Sequence, residues 1–233
     1  MPLNTQTGYF SDNYLLRLDR VTHFFDQRLV FKDVSLLIEP RTVTLVAGPN
    51  GAGKTTLMNI MSGLISPSKG LVEHKVPRDK MAFLGHNTFV YSGLSALDNL
   101  KFWAKVYYRR LDDDECMQLL SLVGLKAFAH EKAGFFSRGM SQRLSLARVL
   151  MLRPDFLLLD EPGTGLDPDS RKLLREKITQ SAQDGAAVVW VSHTLEEDLE
   201  LADKIIFLEN KKQAFYGTTR DFSSRHQGKG FEH

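Results

Sequence analysis

One short segment constrains the fold more than any other part of the 233-residue sequence. The apolar run Thr42–Ala47 passes directly into Gly48-Pro49-Asn50-Gly51-Ala52-Gly53-Lys54-Thr55, which fits the pattern G-x-x-x-x-G-K-[ST]. Glycines let a backbone turn sharply, so that successive amide groups can surround an anion without a Cβ clash. A helix predicted from about Lys54 to Leu64 would add its positive N-terminal end. The segment therefore predicts a strand–loop–helix unit that holds phosphate groups.

The residue types in this loop predict a nucleotide site. Lys54 is expected to reach the β- and γ-phosphates of ATP, and the Thr55 hydroxyl to bind Mg²⁺. The alternative is a glycine-rich turn with an idle lysine. The predicted nucleotide-binding residues of the loop are Gly48, Pro49, Asn50, Gly51, Ala52, Gly53, Lys54, Thr55 and Thr56.

Short apolar runs alternate with longer helical patterns along much of the chain, which predicts an α/β fold with a parallel sheet. The predicted strands are Val34–Ile38, Thr42–Ala47, Met81–Leu84, Phe156–Leu159, Ala186–Val191 and Lys204–Leu208, the last of which is expected to end the parallel set. From about Leu94 to Leu152 only helical spacing is found, which predicts a helical lobe inserted into the core. Ordinary core packing is the favoured interpretation of most of its aromatic cluster, with partner docking as the alternative; the cluster is Phe102, Trp103, Tyr107 and Tyr108.

Polar residues follow two of the predicted strands at the sheet edge where ligands of open parallel sheets bind. Asp160 follows Phe156–Leu159 and is expected to hold Mg²⁺, whereas Glu161 is placed to orient and deprotonate a water molecule. His193 follows Ala186–Val191 and could contact the γ-phosphate or that water. A solvated strand end and a surface histidine are the alternatives. The predicted catalytic residues are Glu161, His193 and Lys54, and the predicted metal ligands are Thr55 and Asp160.

Composition limits the compartment and the partners. A formal net charge of +2 argues against a large basic field, so no nucleic-acid partner is expected. The single cysteine, Cys116, excludes an internal disulfide, fits a reducing compartment and is expected to be a buried thiol. The apolar runs are far shorter than the roughly 20 residues of a membrane helix, and the N-terminus lacks a signal pattern. We therefore expect a cytosolic chain that needs a separate partner to act at a membrane.

The order of these motifs resembles that of the ATP-binding-cassette (ABC) ATPases over nearly the whole chain. The segment Phe136-Ser137-Arg138-Gly139-Met140-Ser141-Gln142-Arg143 is similar to the signature motif of that family, and Gly165-Leu166-Asp167 is similar to its D-loop. His193 matches the switch histidine, and Phe25 stands where an aromatic ring stacks on adenine. The nucleotide contacts that the resemblance adds are Phe25, His86, Ser137, Gly139 and Asp167.

The resemblance also implies a fold. We expect an α/β P-loop NTPase (RecA-like) core with a mostly parallel sheet, an antiparallel β subdomain and an inserted helical subdomain over residues 86–152. The single domain is expected to span residues 14–222, with loose ends at 1–13 and 223–233.

Two positions depart from the pattern of the family. Arg138 and Met140 stand where the usual L-S-G-G-Q signature has a glycine and the glutamine, although Ser137 and Gly139 remain at a helix start that can bind a γ-phosphate. His86 stands at the position of the usual Q-loop glutamine. A neutral imidazole is a poorer ligand for a hard cation than an oxygen, so we expect His86 to contact a metal-bound water.

Two further segments, Phe83–His86 and Leu94–Leu100, resemble the ATP-binding subunit of the haem exporter in cytochrome c maturation. The resemblance implies an ATPase coupled to transport, peripheral at the cytoplasmic face of the inner or plasma membrane, with permease subunits as partners. It also implies a second ATPase subunit, so that each ATP lies between the phosphate loop of one chain and Ser137 and Gly139 of the other. The alternatives are the ATPase of another exporter, of drugs, polysaccharides or lipids, a soluble ABC ATPase of DNA repair or translation, and a nucleotide-binding regulatory module without turnover.

Overall fold

The computed structural model describes residues 13–85, 87–164, 166–192 and 195–226. The predicted site residues His86 and His193, and Gly165 of the D-loop-like segment, lie outside the described residues. The strands are β1 Leu16–Phe25, β2 Arg28–Ile38, β3 Val43–Ala47, β4 Lys69–His74, β5 Met81–Leu84, β6 Phe156–Asp160, β7 Ala187–Val191, β8 Lys204–Glu209 and β9 Lys212–Thr218. The helices are α1 Lys54–Met61, α2 Ala96–Val106, α3 Asp113–Leu122, α4 Arg138–Leu150, α5 Pro168–Gln183, α6 Leu195–Leu199 and α7 Thr219–His226.

Within the described residues, the strands form one mixed sheet in the order β4-β1-β2-β9-β8-β3-β7-β6-β5. The run from β8 to β5 is parallel, with Leu45 opposite Trp190 and Leu158 opposite Val189. Every residue of β3, β6 and β7 is buried, as expected where both faces of a parallel sheet are covered. The predicted parallel core is confirmed, and β8 ends it because β9 pairs with β8 in the antiparallel sense.

The antiparallel subdomain is formed by β1, which pairs with β2 on one side and with β4 on the other. One parallel pairing, Lys32 with Lys212, joins it to the rest of the sheet. Apolar runs indicated only residues 34–38 of this region, because β4 exposes most of its side chains and β9 has a single buried residue, Phe215. The family resemblance, rather than the hydrophobic pattern, supplied this part of the fold correctly.

The helix after the phosphate loop, α1, ends at Met61 instead of the predicted Leu64. Gly63 has a left-handed backbone with φ +74°, and the amide of Leu64 donates to the carbonyl oxygen of Asn59 at 3.0 Å. A glycine in this conformation closes a helix by satisfying its last carbonyl groups. The predicted helix was therefore three residues too long.

The inserted lobe consists of α2, α3 and α4, between β5 and β6. The structure describes every residue from 94 to 152 and places no strand there, as predicted. Side chains cap each helix start: Ser95 accepts from the Asp98 amide, and Asp112 and Glu115 form a reciprocal capping box. The lobe therefore begins its helices where the sequence supplies N-cap residues.

Two apolar clusters lie on opposite faces of the sheet. One contains α1 and the inner faces of β1 and β2, and the other contains α5 and the lobe, including the fully buried Cys116. None of the described helices combines the length and the apolarity needed to cross a bilayer. The prediction of a loose end from Ser223 was wrong for residues 223–226, which continue α7.

Candidate functional site

The phosphate loop leaves the buried strand β3 and runs into α1, as predicted. Gly48 has φ +142°, and a Cβ atom there would lie 2.1 Å from the carbonyl oxygen of Leu208. Gly53 has φ +99°, and a Cβ atom there would lie 2.7 Å from Cγ1 of Val30. Only glycine fits either position, because each combines a left-handed backbone with a neighbour at less than van der Waals distance. Neighbouring strands thus fix the shape of the loop.

The Lys54 amino group folds back over the loop. Its Nζ donates to the carbonyl oxygens of Gly48 at 2.8 Å and of Pro49 at 3.2 Å. Burial lowers the pKa of Lys54, and the nearby Glu161 and Asp160 carboxylates oppose that shift. The cation is therefore held inside the loop, close to two carboxyl groups from another part of the chain.

Those carboxyl groups lie at the end of β6. The Asp160 side chain is 1% exposed. Glu161 has φ +54°, and its amide donates to the carbonyl oxygen of Val191 at the end of β7, at 3.2 Å. The left-handed turn changes the chain direction at Glu161, so that the two adjacent acids occupy different surroundings. Lys54, Asp160 and Glu161 are thus brought together, as the sequence predicts.

A cleft of about 560 Å³ separates the lobe from the core, and both Thr55 and Asp160 line it. Their hydroxyl and carboxylate oxygens are the hard ligands that Mg²⁺ prefers. Sites that use Mg²⁺ with nucleotides supply one or two protein oxygens, and the phosphates and water complete the shell. The donor set at this edge of the cleft therefore fits Mg²⁺ bound together with a nucleotide.

The signature segment lies at the start of α4. The exposed Ser137 caps this helix by accepting from the Met140 amide at 3.2 Å. A Cβ atom on Gly139 would lie 3.3 Å from Oδ2 of Asp167, which in turn caps α5. Hydrogen bonds from the Ser170 side chain and amide hold the pKa of Asp167 below its usual range. Ser137, Gly139 and Asp167 thus form a second group, and none of the three is among the residues that line the cleft of Thr55 and Asp160.

The predicted adenine-stacking residue lies at the turn between β1 and β2. Phe25 is 54% exposed and makes an edge contact with His23, at 4.8 Å between ring centroids. The same hairpin borders the phosphate loop, because Val30 and Phe31 pack against Gly53. An accessible aromatic face therefore lies on the hairpin next to the loop.

The aromatic cluster of the lobe is only partly packed, so the prediction of ordinary core packing was wrong for two of its four residues, Phe102 and Tyr108. Trp103 and Tyr107 stack at 5.6 Å between centroids and pack against the core. Phe102 is 38% exposed and Tyr108 is 97% exposed. Trp103 and Tyr107 therefore line one apolar edge of the cleft, whereas Phe102 and Tyr108 do not.

Two buried polar residues of this region were not predicted as part of the site. Arg148 of α4 donates to the Tyr107 hydroxyl at 2.7 Å and lies 5.1 Å from the Trp103 ring centroid. Asn99 of α2 is 1% exposed, and its side chain bonds both the amide and the carbonyl of Tyr91. The sequence could have indicated both residues, because a charged and an amide side chain lie on the apolar faces of two amphipathic helices, where polar side chains are unusual.

Comparison with known proteins agrees with this geometry. The family model described as ABC transporter matches residues 31–164. The linearmycin resistance ATP-binding protein LnrL of Bacillus subtilis (strain 168) is 29% identical over 222 residues, which cover 91% of this chain and 71% of LnrL. The ABC transporter ATP-binding protein NatA of the same organism is 31% identical over 214 residues, which cover 83% of this chain and 85% of NatA.

A solved structure has the same fold. It is the dimeric structure of a post-hydrolysis state of the ATP-binding cassette MJ0796 bound to ADP and Pi, with a TM-score of 0.78 and 24% identity. The match covers 88% of this chain and 99% of that one.

Proposed function

The chain belongs to the ABC transporter family as an ATP-binding, ATP-hydrolysing subunit, and we propose that it powers an exporter as one half of a two-site dimer. One observation carries the proposed site. The glycine loop of residues 48–55, its buried Lys54 and the carboxyl groups of Asp160 and Glu161 meet at one edge of the sheet. These groups supply a phosphate cradle, a cation, metal-ligating oxygens and a base.

The proposed reaction divides among these residues. Backbone amides of the loop and Lys54 bind the β- and γ-phosphates, and Thr55 and Asp160 hold Mg²⁺, which neutralises phosphate charge when bound. Glu161 accepts the proton of the attacking water. The proposed role of His193 at the γ-phosphate and that of His86 at a metal-bound water are carried over from the sequence, since neither residue is described.

We propose that the second group of residues serves the ATP of a partner chain. Ser137 is exposed at the N-terminal end of α4, where free amides and the helix dipole favour an anion. Gly139 beside it has no side chain that would block access, and a Cβ atom there would lie 3.3 Å from Oδ2 of Asp167. The related MJ0796 cassette is dimeric, which supports an arrangement in which ATP joins two chains.

Two substitutions at Ser137 test this arrangement in a Glu161→Gln background, which keeps ATP from being consumed. Both Ser137→Asp and Ser137→Asn retain a good N-cap for α4, but only aspartate puts a negative charge where a γ-phosphate would bind. We expect Mg–ATP to dimerise the asparagine variant and not the aspartate variant, as measured by light scattering after gel filtration. Equal dimerisation of the two variants would contradict the proposal.

The membrane partner is proposed to dock at the cleft between core and lobe. Its aromatic edge includes Phe89, which is 55% exposed, and Trp103, and the Arg148 guanidinium lies 5.6 Å and 5.1 Å from the centroids of these two rings. An exposed apolar patch of this kind is typical of protein contact sites. We propose that movement of the lobe transmits the effect of nucleotide binding to the permease subunits, and that the chain works at the cytoplasmic face of the membrane. Purification of the chain from detergent-solubilised membranes, followed by identification of attached integral subunits, tests this step.

Haem is the cargo that we propose, because Phe83–His86 and Leu94–Leu100 resemble the haem-exporter ATPase. A second candidate is export of an antibiotic, which the similarity to the linearmycin resistance protein favours. The purified complex in lipid vesicles distinguishes the two, because cargo is expected to stimulate ATP hydrolysis. Stimulation by haem and loss of c-type cytochromes in a deletion strain support the first. Stimulation by linearmycin with normal cytochrome assembly supports the second.

A further inference from the structure

A buried ion-pair network joins α5 to α6 behind the candidate hydrolytic site. Arg175 of α5 donates from Nε to Oδ1 of Asp198 at 2.9 Å, and its Nη2 lies 2.8 Å from the same oxygen. The Nη2 atom also bonds Glu197. The Asp198 side chain is fully buried, whereas Glu197 is largely exposed. Asp198 is thus a buried carboxylate paired with the Arg175 guanidinium group.

The other carboxylate oxygen of Asp198 accepts a hydrogen bond from the Ser192 hydroxyl. Ser192 is the first residue after β7 and directly precedes His193. A cavity of about 210 Å³ adjoins the network, and Glu161 and Trp190 line it together with Arg175, Ser192 and Asp198. The network therefore holds the exit of β7 next to the candidate catalytic base.

Three segments of the site converge on this network. The β7 exit is tied to the Glu161 turn by the bond between the Glu161 amide and the Val191 carbonyl. The helix that carries Arg175 begins at its cap Asp167, in the segment beside Gly139. A shift of Ser192 relative to α5 would therefore change the placement of the end of β7 against both the Glu161 turn and α5.

We propose that Arg175, Asp198 and Ser192 form a positioning network that fixes the end of β7 at Ser192 beside Glu161 for ATP hydrolysis, an assignment that rests on the proposed function. Stability alone does not explain such a pair, because an apolar pair of similar volume commonly stabilises a core at least as well. A buried charge pair also restricts geometry, because the two oxygens of Asp198 have to stay within hydrogen-bond distance of Arg175 and Ser192. Catalytic groups require placement within about 0.5 Å, and a displacement of about 1 Å can cost a hundredfold in rate.

The test compares Ser192→Ala with Ser192→Thr in steady-state ATP hydrolysis by the full chain. Alanine removes the hydroxyl and threonine keeps it. Because the network acts on geometry and not on nucleotide binding, we expect alanine to lower kcat by about tenfold or more with KM within about twofold, and threonine to restore most of the rate. The matched control is Glu39→Gln, which removes the partly buried ion pair with Lys204 at 2.7 Å and is expected to leave kcat unchanged.

Asp198→Asn gives a second measurement. It keeps an oxygen acceptor for Ser192 but removes the charge that orients Arg175. If the three residues act as one unit, adding Ser192→Ala to Asp198→Asn lowers kcat by less than the product of the two single effects. If the loss of kcat in the double variant equals the product of the two single losses, the proposed network is overturned, even if the Asp198→Asn chain is less stable.

Further outcomes separate this inference from the proposed function. Wild-type kcat in Ser192→Ala, equal loss in the alanine and threonine variants, or a change in KM alone would overturn the positioning role and leave the ATPase assignment intact. A wild-type chain that does not turn over ATP, alone or with its membrane subunits, would overturn the proposed function and the positioning role together.

Discussion

The Lys54 amino group lies 2.8 Å from the carbonyl oxygen of Gly48, so that the loop holds its own cation. A polyphosphate entering the loop has to displace this bond and replaces it with a stronger one between opposite charges. The lysine is thereby kept in place, inside the loop that is proposed to receive the phosphates.

Replacement of Lys54 by alanine is expected to weaken binding of ATP by about tenfold or more, because a charge-assisted bond to a phosphate contributes about 1.5–3 kcal/mol. Isothermal titration calorimetry with Mg–ATP measures the change. Lys75→Ala, which removes an exposed lysine over the Tyr14 ring, is the control and should bind as the wild type does. Unchanged affinity in Lys54→Ala would remove the phosphate-loop assignment.

The lowered pKa of Lys54 predicts a pH dependence of nucleotide binding. Burial favours the neutral amine in the free protein, whereas a bound polyphosphate favours the ammonium form and raises the pKa. At a pH between the pKa of Lys54 in the free protein and its higher pKa in the complex, binding of the nucleotide therefore takes up a proton. The affinity for the nucleotide falls as the pH rises above the pKa of the free protein. Calorimetry in buffers of different ionisation enthalpy measures the uptake, and Lys54→Ala should abolish the part that is due to this residue.

Glu161→Gln is expected to bind ATP and to lose steady-state hydrolysis by about a hundredfold or more, the range for removal of a general base. Glutamine keeps the shape of glutamate and can adopt the same left-handed backbone at a similar cost, so the fold should be retained. A phosphate-release assay measures the rate, and circular dichroism checks the fold. Wild-type turnover in this variant would refute the assignment of Glu161 as the base.

Two glycines of the loop should differ in their tolerance of a methyl group. Gly51→Ala is expected to cost about 1–2 kcal/mol, because only the positive φ opposes it and no atom lies within 4 Å of the new Cβ. Gly48→Ala is expected to cost about 3 kcal/mol or more, since its Cβ would meet the carbonyl oxygen of Leu208. Urea denaturation measures both, and similar costs would contradict the close approach.

The thiol of Cys116 is expected to resist alkylation in the native chain. It is fully buried, and burial raises the pKa of the thiol, so less of the reactive thiolate is present at neutral pH. Reaction with a thiol reagent at pH 7.5 should proceed only at the rate of local opening and become immediate in denaturant. Rapid labelling of the native chain would show that α3 opens readily.

Local sequence patterns were sufficient wherever one segment determines its own structure. The strands at Phe156–Leu159 and Met81–Leu84 are continuous apolar runs, and the glycine loop was recognisable because only glycine permits the backbone at Gly48 and Gly53. The hydrophobic pattern missed strands β4 and β9, since β4 exposes most of its side chains and pairs with the distant β1, and only Phe215 of β9 is buried. Helix α1 was predicted too long because the closing role of Gly63 depends on its left-handed conformation.

The sequence by itself determined the chemical groups of this protein: a phosphate loop, two acids after a buried strand and a signature segment in family order. Only the tertiary structure decided how they meet, because contacts between distant segments leave no local pattern. It placed Lys54 between the loop carbonyls and the acids, Gly139 against Asp167, and Asp198 between Arg175 and Ser192. A buried carboxylate becomes stable only when folding brings a cation to it, and that pairing is a property of the packed chain.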